Sequence, residues 1–356
     1  MKNKYMTVSL RPHIYLAPSV HTKMQVFLLV LIPQVLMLIL TQSWSALYVM
    51  LSALAASCAV VGIDCFFAHK RAFDWMTAVV RALIIGLLIP ANYPPLSVFL
   101  ITLGVLLVTT YVLGGFAHSW VNPAALTVAL CWLLSTDLFP AFTLQVEDLQ
   151  AKNIALSLIQ NGTFPTLSGD ARVTAFLNKT VFSVFGVSIP EGYVSLLWDS
   201  HSLIPAFRFN LLTLISSIFL ISFDIIDALI PAVHLFVYCA LVRLFAPLLY
   251  GGTLGQGDIL FALLTSGTLF CTVFLLQWYG TTPITVTGKA VCGVLSGVAA
   301  FLIIGVGYSG AGSVFTVLVI NVIAPVIMIV ETAAEKHYLH AELLPRVQAF
   351  KDGQDA

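Results

Sequence analysis

Apolar residues in this chain run in long, nearly unbroken blocks, separated by short polar punctuation. Blocks of roughly 18–25 apolar residues with few charges predict helices that cross a bilayer. In order, such spans are expected at 24–41, 46–67, 75–90, 96–114 and 122–139. A second set is expected at 209–223, 228–247, within Gly257–Lys289, and at 289–307 and 313–331. Pro94-Pro95 follows the third span and Pro283 the eighth, and proline stops a helix by removing a donor and blocking the preceding turn. The pattern therefore predicts an all-α polytopic membrane protein with about ten transmembrane helices. Spans three and eight hold equivalent places in two five-span halves. Halves with an odd number of spans are inverted relative to one another, so a 5+5 inverted repeat with helices three and eight broken is expected.

Residues 140–207 interrupt the pattern. Charges return there, among them Glu147, Asp170, Arg172, Lys179, Glu191 and Asp199, and glycine and proline recur. The expected organisation is a tail (1–23), a first membrane half (24–139), a water-exposed insert (140–207) with one or two short helices, a second half (208–331) and a polar tail (332–356) ending as a short surface helix. Two glycosylation-type triplets, at Asn161 and Asn178, are assigned no role. Cations sort by side: Lys70, Arg71 and Lys289 fall with Lys2, Lys4, Arg11, Lys23, Lys336, Arg346 and Lys351, whereas the opposite short loops 41–45 and 308–313 carry none. The positive-inside rule then puts both termini in the cytoplasm and the insert outside.

Composition sharpens this. Of 356 residues, 59% are hydrophobic and only 9% charged, and mean hydropathy is +0.99. Soluble domains carry about a quarter charged residues, so that class is excluded. A formal charge of zero implies no nucleic-acid partner, and the partner of most of the surface is membrane lipid. The first residues are polar and mixed, so no cleavable signal is expected. The six cysteines form no CxxC or Cys/His spacing, which leaves no metal site to read.

The chemically unusual stretch is Gly257–Lys289. Thr265-Ser266-Gly267-Thr268 lies inside its apolar run. Hydroxyls in a span commonly bond back to their own helix or join two helices; the alternative is a chemical attachment point beside a broken helix. Arg81 is the cation well inside a span, so it should face a partner, a cavity or an anion, or reach an interface. Asp64, Asp74, Asp137, Asp224 and Asp227 sit near span ends as caps, and His118 and His234 are single histidines without a second ligand nearby in sequence. No nucleophile–base–acid arrangement is readable, and the glycines around Gly251–Gly257 do not follow a strand as a nucleotide cradle would.

The order of features resembles the RnfD subunit of the Rnf ion-translocating ferredoxin:NAD oxidoreductase, of the RnfD/NqrB family. The resemblance is carried by Arg11-Pro12-His13 leading to His21-Thr22-Lys23-Met24, and by Thr77-Ala78-Val79-Val80 in span three. Further along it is carried by Gly114-Gly115 with Asn122-Pro123-Ala124, by Leu263–Leu269, by Thr281-Thr282-Pro283 through Gly288-Lys289, and by Asn321 to Pro325. It implies a membrane electron-transfer subunit in a bacterial inner membrane that helps couple electron flow between ferredoxin and NAD to Na⁺ or H⁺ movement. The partners implied are flavin-carrying, iron–sulfur and small membrane subunits. It also implies FMN held by a phosphoester on Thr268, added by a flavin transferase outside the cytoplasm. Thr265, Ser266 and Gly267 are its motif; Asn122, Arg81, Thr281 and Thr282 are further candidate flavin contacts. The chain departs from the family at Arg81-Ala82, where Thr-Gly is usual, at Gln277-Trp278-Tyr279, where Thr-Asp-Pro is usual, and in the attachment stretch, where Ser-Gly-Ala-Thr is usual. A transporter or channel of two inverted halves, or a structural subunit that kept the fold without the cofactor, would share this architecture.

Overall fold

A computed structural model describes residues 19–67, 75–114, 119–139, 166–249, 254–278, 281–305, 310–338 and 341. The N-terminal tail to residue 18, the 68–74 linker with Asp74, His118, the triplet at Asn161, Tyr279-Gly280 and, residue 341 apart, the C-terminal tail beyond Tyr338 lie outside the described residues. Among the described residues there is no strand.

The first half consists of α1 (Val20–Leu40), α2 (Trp44–Phe67), α3 (Trp75–Leu88), α4 (Pro95–Tyr111) and α5 (Pro123–Leu134). The insert contributes α6 (Asp170–Thr180) and α7 (Tyr193–Trp198). The second half consists of α8 (Asn210–Ser222), α9 (Leu229–Leu249), the split pair α10 (Ile259–Thr265) and α11 (Thr268–Phe274), α12 (Val286–Ile304) and α13 (Gly312–Tyr338). Five of these, α1, α2, α9, α12 and α13, are long and apolar enough to cross a membrane, and the chain is an all-α polytopic membrane protein. The polar end expected to form a separate surface helix continues α13 as far as Tyr338.

The two halves pack in the same order. In the first, α2 lies against α3 and α4, α4 against α5, and α3 also against α1 and α5. In the second, α9 lies against α10, α11 and α12, α12 against α13, and α11 also against α8 and α13. Contacts between the halves join like with like, α1 to α8 and α5 to α13. This is the pattern of two inverted repeats about a shared axis. Small residues permit the closest helix pairs, as in other membrane interfaces: a Cβ on Gly86 of α3 would lie 2.7 Å from the Met50 backbone of α2, and one on Gly297 of α12 would lie 2.7 Å from Val237 of α9.

The short third and eighth elements sit innermost. Twelve of the 14 residues of α3 are buried, as are all seven of α11. Of the two interruptions expected, the eighth lies within the span, at Ser266-Gly267; in the third span α3 is one continuous helix and the non-helical part is Ile89–Pro94. The sides of the molecule follow from tethers. Arg208, after the insert, donates to Ser43 between α1 and α2 at 2.8 Å, and Ala91 N–H donates to the Leu203 carbonyl at 2.9 Å. On the opposite side Lys289 pairs with Asp227 at 2.6 Å, and Glu331 accepts from the Thr285 backbone N–H at 3.1 Å.

Candidate functional site

The break between α10 and α11 is made locally. Gly267 has φ 68°, the left-handed region open to glycine. A side chain there is also excluded by space, since a Cβ would lie 1.9 Å from the Phe207 ring. A break inside a membrane leaves backbone groups without helical partners, and water is not there to take them. Here they are taken by side chains. Ser266 Oγ accepts from the Thr268 N–H at 3.2 Å and bonds the Thr268 hydroxyl. Asn210 of α8 donates to the Leu264 carbonyl at 2.8 Å. Asp258 caps the start of α10, accepting from Phe261 N–H at 2.9 Å, and also accepts from the Tyr193 hydroxyl of the insert.

A small cavity adjoins the break. Its walls include Thr268, Cys271, Thr272, His234, Ser313 and Thr316, and its volume is about 10 Å³. That is room for about one water molecule. The hydroxyls of Thr272 and Thr316 donate to the carbonyls of Thr268 and Gly312, at 2.6 and 3.0 Å. Their lone pairs therefore remain as acceptors. Ser313 Oγ accepts from the Cys271 thiol at 3.3 Å, and His234 Nδ1 is 2.9 Å from Ser296 Oγ. Tyr238, fully buried, lies beside Ser266 and Thr268 and donates to the Gly305 carbonyl at 3.0 Å. No carboxylate lines the cavity, and among the described residues no group of His, Cys, Asp or Glu gathers as a metal site.

Thr268, the expected attachment point, is 1% exposed, its hydroxyl is bonded to Ser266, and the cavity beside it, at about 10 Å³, is water-sized. The other candidate contacts are also engaged elsewhere. Asn122 caps α5, accepting from Ala124 N–H at 2.9 Å, and donates to the Leu275 carbonyl at 3.0 Å. Thr265 donates back to the Phe261 carbonyl at 2.7 Å, the bland alternative for an intramembrane hydroxyl. Arg81 is buried on α3 and donates to Ser57 of α2 at 3.2 Å, away from the cavity walls. Thr281 donates to the Trp278 carbonyl at 2.7 Å, and it and Thr282 stand beyond the far end of α11, a helix about 10 Å long. So the structure unites Ser266, Gly267 and Thr268 in one site and leaves Asn122, Arg81, Thr281 and Thr282 outside it. Sequence reading missed Asn210, Phe207, Tyr238, Ser313 and Thr316 as its builders. The spacing of Ser313 and Thr316, one helical turn apart on the buried face of α13, was the available signal.

Outside the membrane-spanning helices two carboxylates are held in the charged form. Lys289 beside Asp227, helped by the Leu229 N–H, holds that carboxyl below its usual range against some burial. Burial raises the Asp170 carboxyl, but bonds from Ser195, Gly192 and Thr174 outweigh it and the net shift is downward.

No curated protein matches the chain. Residues 7–335, nearly its whole length, match the sequence model of the NQR2, RnfD, RnfE family, and with the inverted helical halves described above the chain belongs to that family.

Proposed function

We propose that the chain is the RnfD-type membrane subunit of an ion-translocating redox complex, and that the interrupted eighth helix handles the coupling ion. The observation that carries this is the small hydroxyl-lined cavity at the α10–α11 break. Half-helix ends meeting at membrane depth are where transporters with inverted repeats place their ion sites. Oxygen acceptors suit a hard cation such as Na⁺, and the size of the space suits one ion or one water. The absence of a carboxylate among the walls favours brief occupancy, as conduction requires sites that release. His234, in the same wall, gives H⁺ an alternative carrier. Under this reading the flavin and iron–sulfur centres lie in partner subunits, the termini face the cytoplasm, and the membrane is the bacterial inner membrane.

The test is ion movement driven by electron transfer in vesicles holding the assembled complex. Thr268→Val and Ser313→Ala should slow Na⁺ or H⁺ uptake while complex assembly and flavin content stay as in the parent. Unchanged uptake in both variants would remove the cavity from the path. A sodium electrode with and without a protonophore separates the two ions.

A further inference from the structure

Helix α13 carries unused polar groups of its own. Asn321 is 1% exposed, and its side-chain amide nitrogen has no hydrogen-bond partner among the described residues. Buried amides are nearly always paired, because an unpaired one has given up its bonds to water without replacement. The main chain of the same residue is also left over. Pro325 lies four residues on, inside the continuous helix α13. It has no N–H, so the helical ladder offers the Asn321 carbonyl no donor. One buried residue thus presents an amide with an unpaired nitrogen and a carbonyl oxygen outside the ladder.

Its place relative to the small cavity follows from the helix. Val317 is part of the cavity wall and stands four residues before Asn321, so the two share a face, about 6 Å apart along the axis. Side chains on a helix lean toward its N-terminus, which tips Asn321 toward the cavity. From there α13 runs on to Glu331, which bonds Thr285 on the side opposite the insert. Asn321 therefore stands between the cavity and that side. Its oxygens are those of a hard-cation site, since such ions take backbone and Asn carbonyls as ligands. In transporters with inverted repeats, carbonyls released from a helix at membrane depth coordinate Na⁺. With its nitrogen unheld, the amide can turn about its broad terminal torsion to aim its oxygen at an ion. We propose that Asn321, through its side-chain and main-chain oxygens, is a second Na⁺ station between the α10–α11 cavity and the cytoplasmic side. This rests on the reading of that cavity as the ion site.

The test uses the assembled complex in vesicles, with electron-driven Na⁺ uptake read against Na⁺ concentration. Asn321→Leu, similar in size, should raise the half-saturating concentration about tenfold, the worth of one bond to a charged group. Asn321→Asp, which puts charge on the side-chain oxygens, should lower it. Pro325→Ala gives the Asn321 carbonyl a helical donor. It should raise the half-saturating concentration while the melting temperature holds or rises, whereas damage to packing lowers uptake and melting temperature together. Parent half-saturation in Asn321→Leu and Pro325→Ala, with uptake slowed in Thr268→Val, would overturn the proposal and leave the cavity as the ion site. Parent behaviour in all three would overturn the cavity reading with it. Asn321→Asp weakening uptake as much as Asn321→Leu would reduce Asn321 to a packing role and equally overturn the proposal.

Discussion

Helix α3 and the pair α10–α11 occupy equivalent places in the two halves, yet they carry polar groups in opposite ways. In α3 the backbone ladder is continuous and the burden is a side chain: Arg81, 7% exposed, leans on Ser57, which itself donates to the Ala78 carbonyl at 3.0 Å. In α10–α11 the side chains are neutral and the burden is the backbone, opened at Gly267 and satisfied by Ser266 and Asn210. An intramembrane charge needs a standing partner, which fixes it in place. A broken helix with hydroxyl oxygens can exchange partners at low cost. Under the function proposed above, the difference would put anchoring in the first half and ion handling in the second.

Substitutions at matched positions should separate the two. Gly267→Ala should be the most damaging, since left-handed strain adds to collision with Phe207; a loss of about 3–5 kcal/mol is expected. Gly86→Ala, at a helical glycine crowded by Met50, should cost less, about 1–3 kcal/mol. Thermal unfolding of both variants in one detergent checks the order; equal losses would erase the contrast. Asn210→Ala leaves the Leu264 carbonyl buried without its donor and should cost about 2 kcal/mol. Ser57→Ala, its counterpart beside Arg81, should cost about 1 kcal/mol, read as a smaller drop in the same melts.

The smallest effect is in pH. Because Lys289 lowers the Asp227 carboxyl in the folded state, the pair's stabilisation is present above the unfolded carboxylate value, about 3.9. It is lost as pH falls through the lower, folded value. Asp227 is 38% exposed, so the pair is screened and Asp227→Asn should remove only about 0.5 kcal/mol at neutral pH. The difference in melting temperature between variant and parent should vanish at acid pH. A difference that grew toward acid would contradict the assignment.

Much of the architecture was legible because block hydrophobicity and proline punctuation mark where helices run and stop, although among the described residues only five of the roughly ten expected spans are helices long and apolar enough to cross a membrane. The break at Ser266-Gly267 was legible for the same reason, since hydroxyls and glycine inside an apolar run have few uses. The surroundings of Thr268 were not. Its local motif resembles an attachment stretch, but its burial, at 1% exposed, depends on helix packing that joins residues distant in sequence, such as Phe207 against Gly267. For Asn122, Asn-Pro opening a helix is also a cap signal, but its second bond, to Leu275, joins residues 153 apart and could not be read from the sequence. Arg81 could be identified as needing a partner, whereas which helix supplied Ser57 depends on the α2–α3 packing.

The most direct measurement is taken on the intact complex purified from native membranes, with flavin fluorescence read in a denaturing gel and the Thr268 peptide weighed. The account predicts that the chain co-purifies with flavin- and iron–sulfur-carrying subunits, that its own denatured band is dark beside a fluorescent partner, and that the Thr268 peptide has its unmodified mass. A fluorescent band with an FMN-sized adduct on that peptide would contradict the closed, ion-sized site. A chain that purifies alone and takes up solute in vesicles would contradict its place in a redox complex.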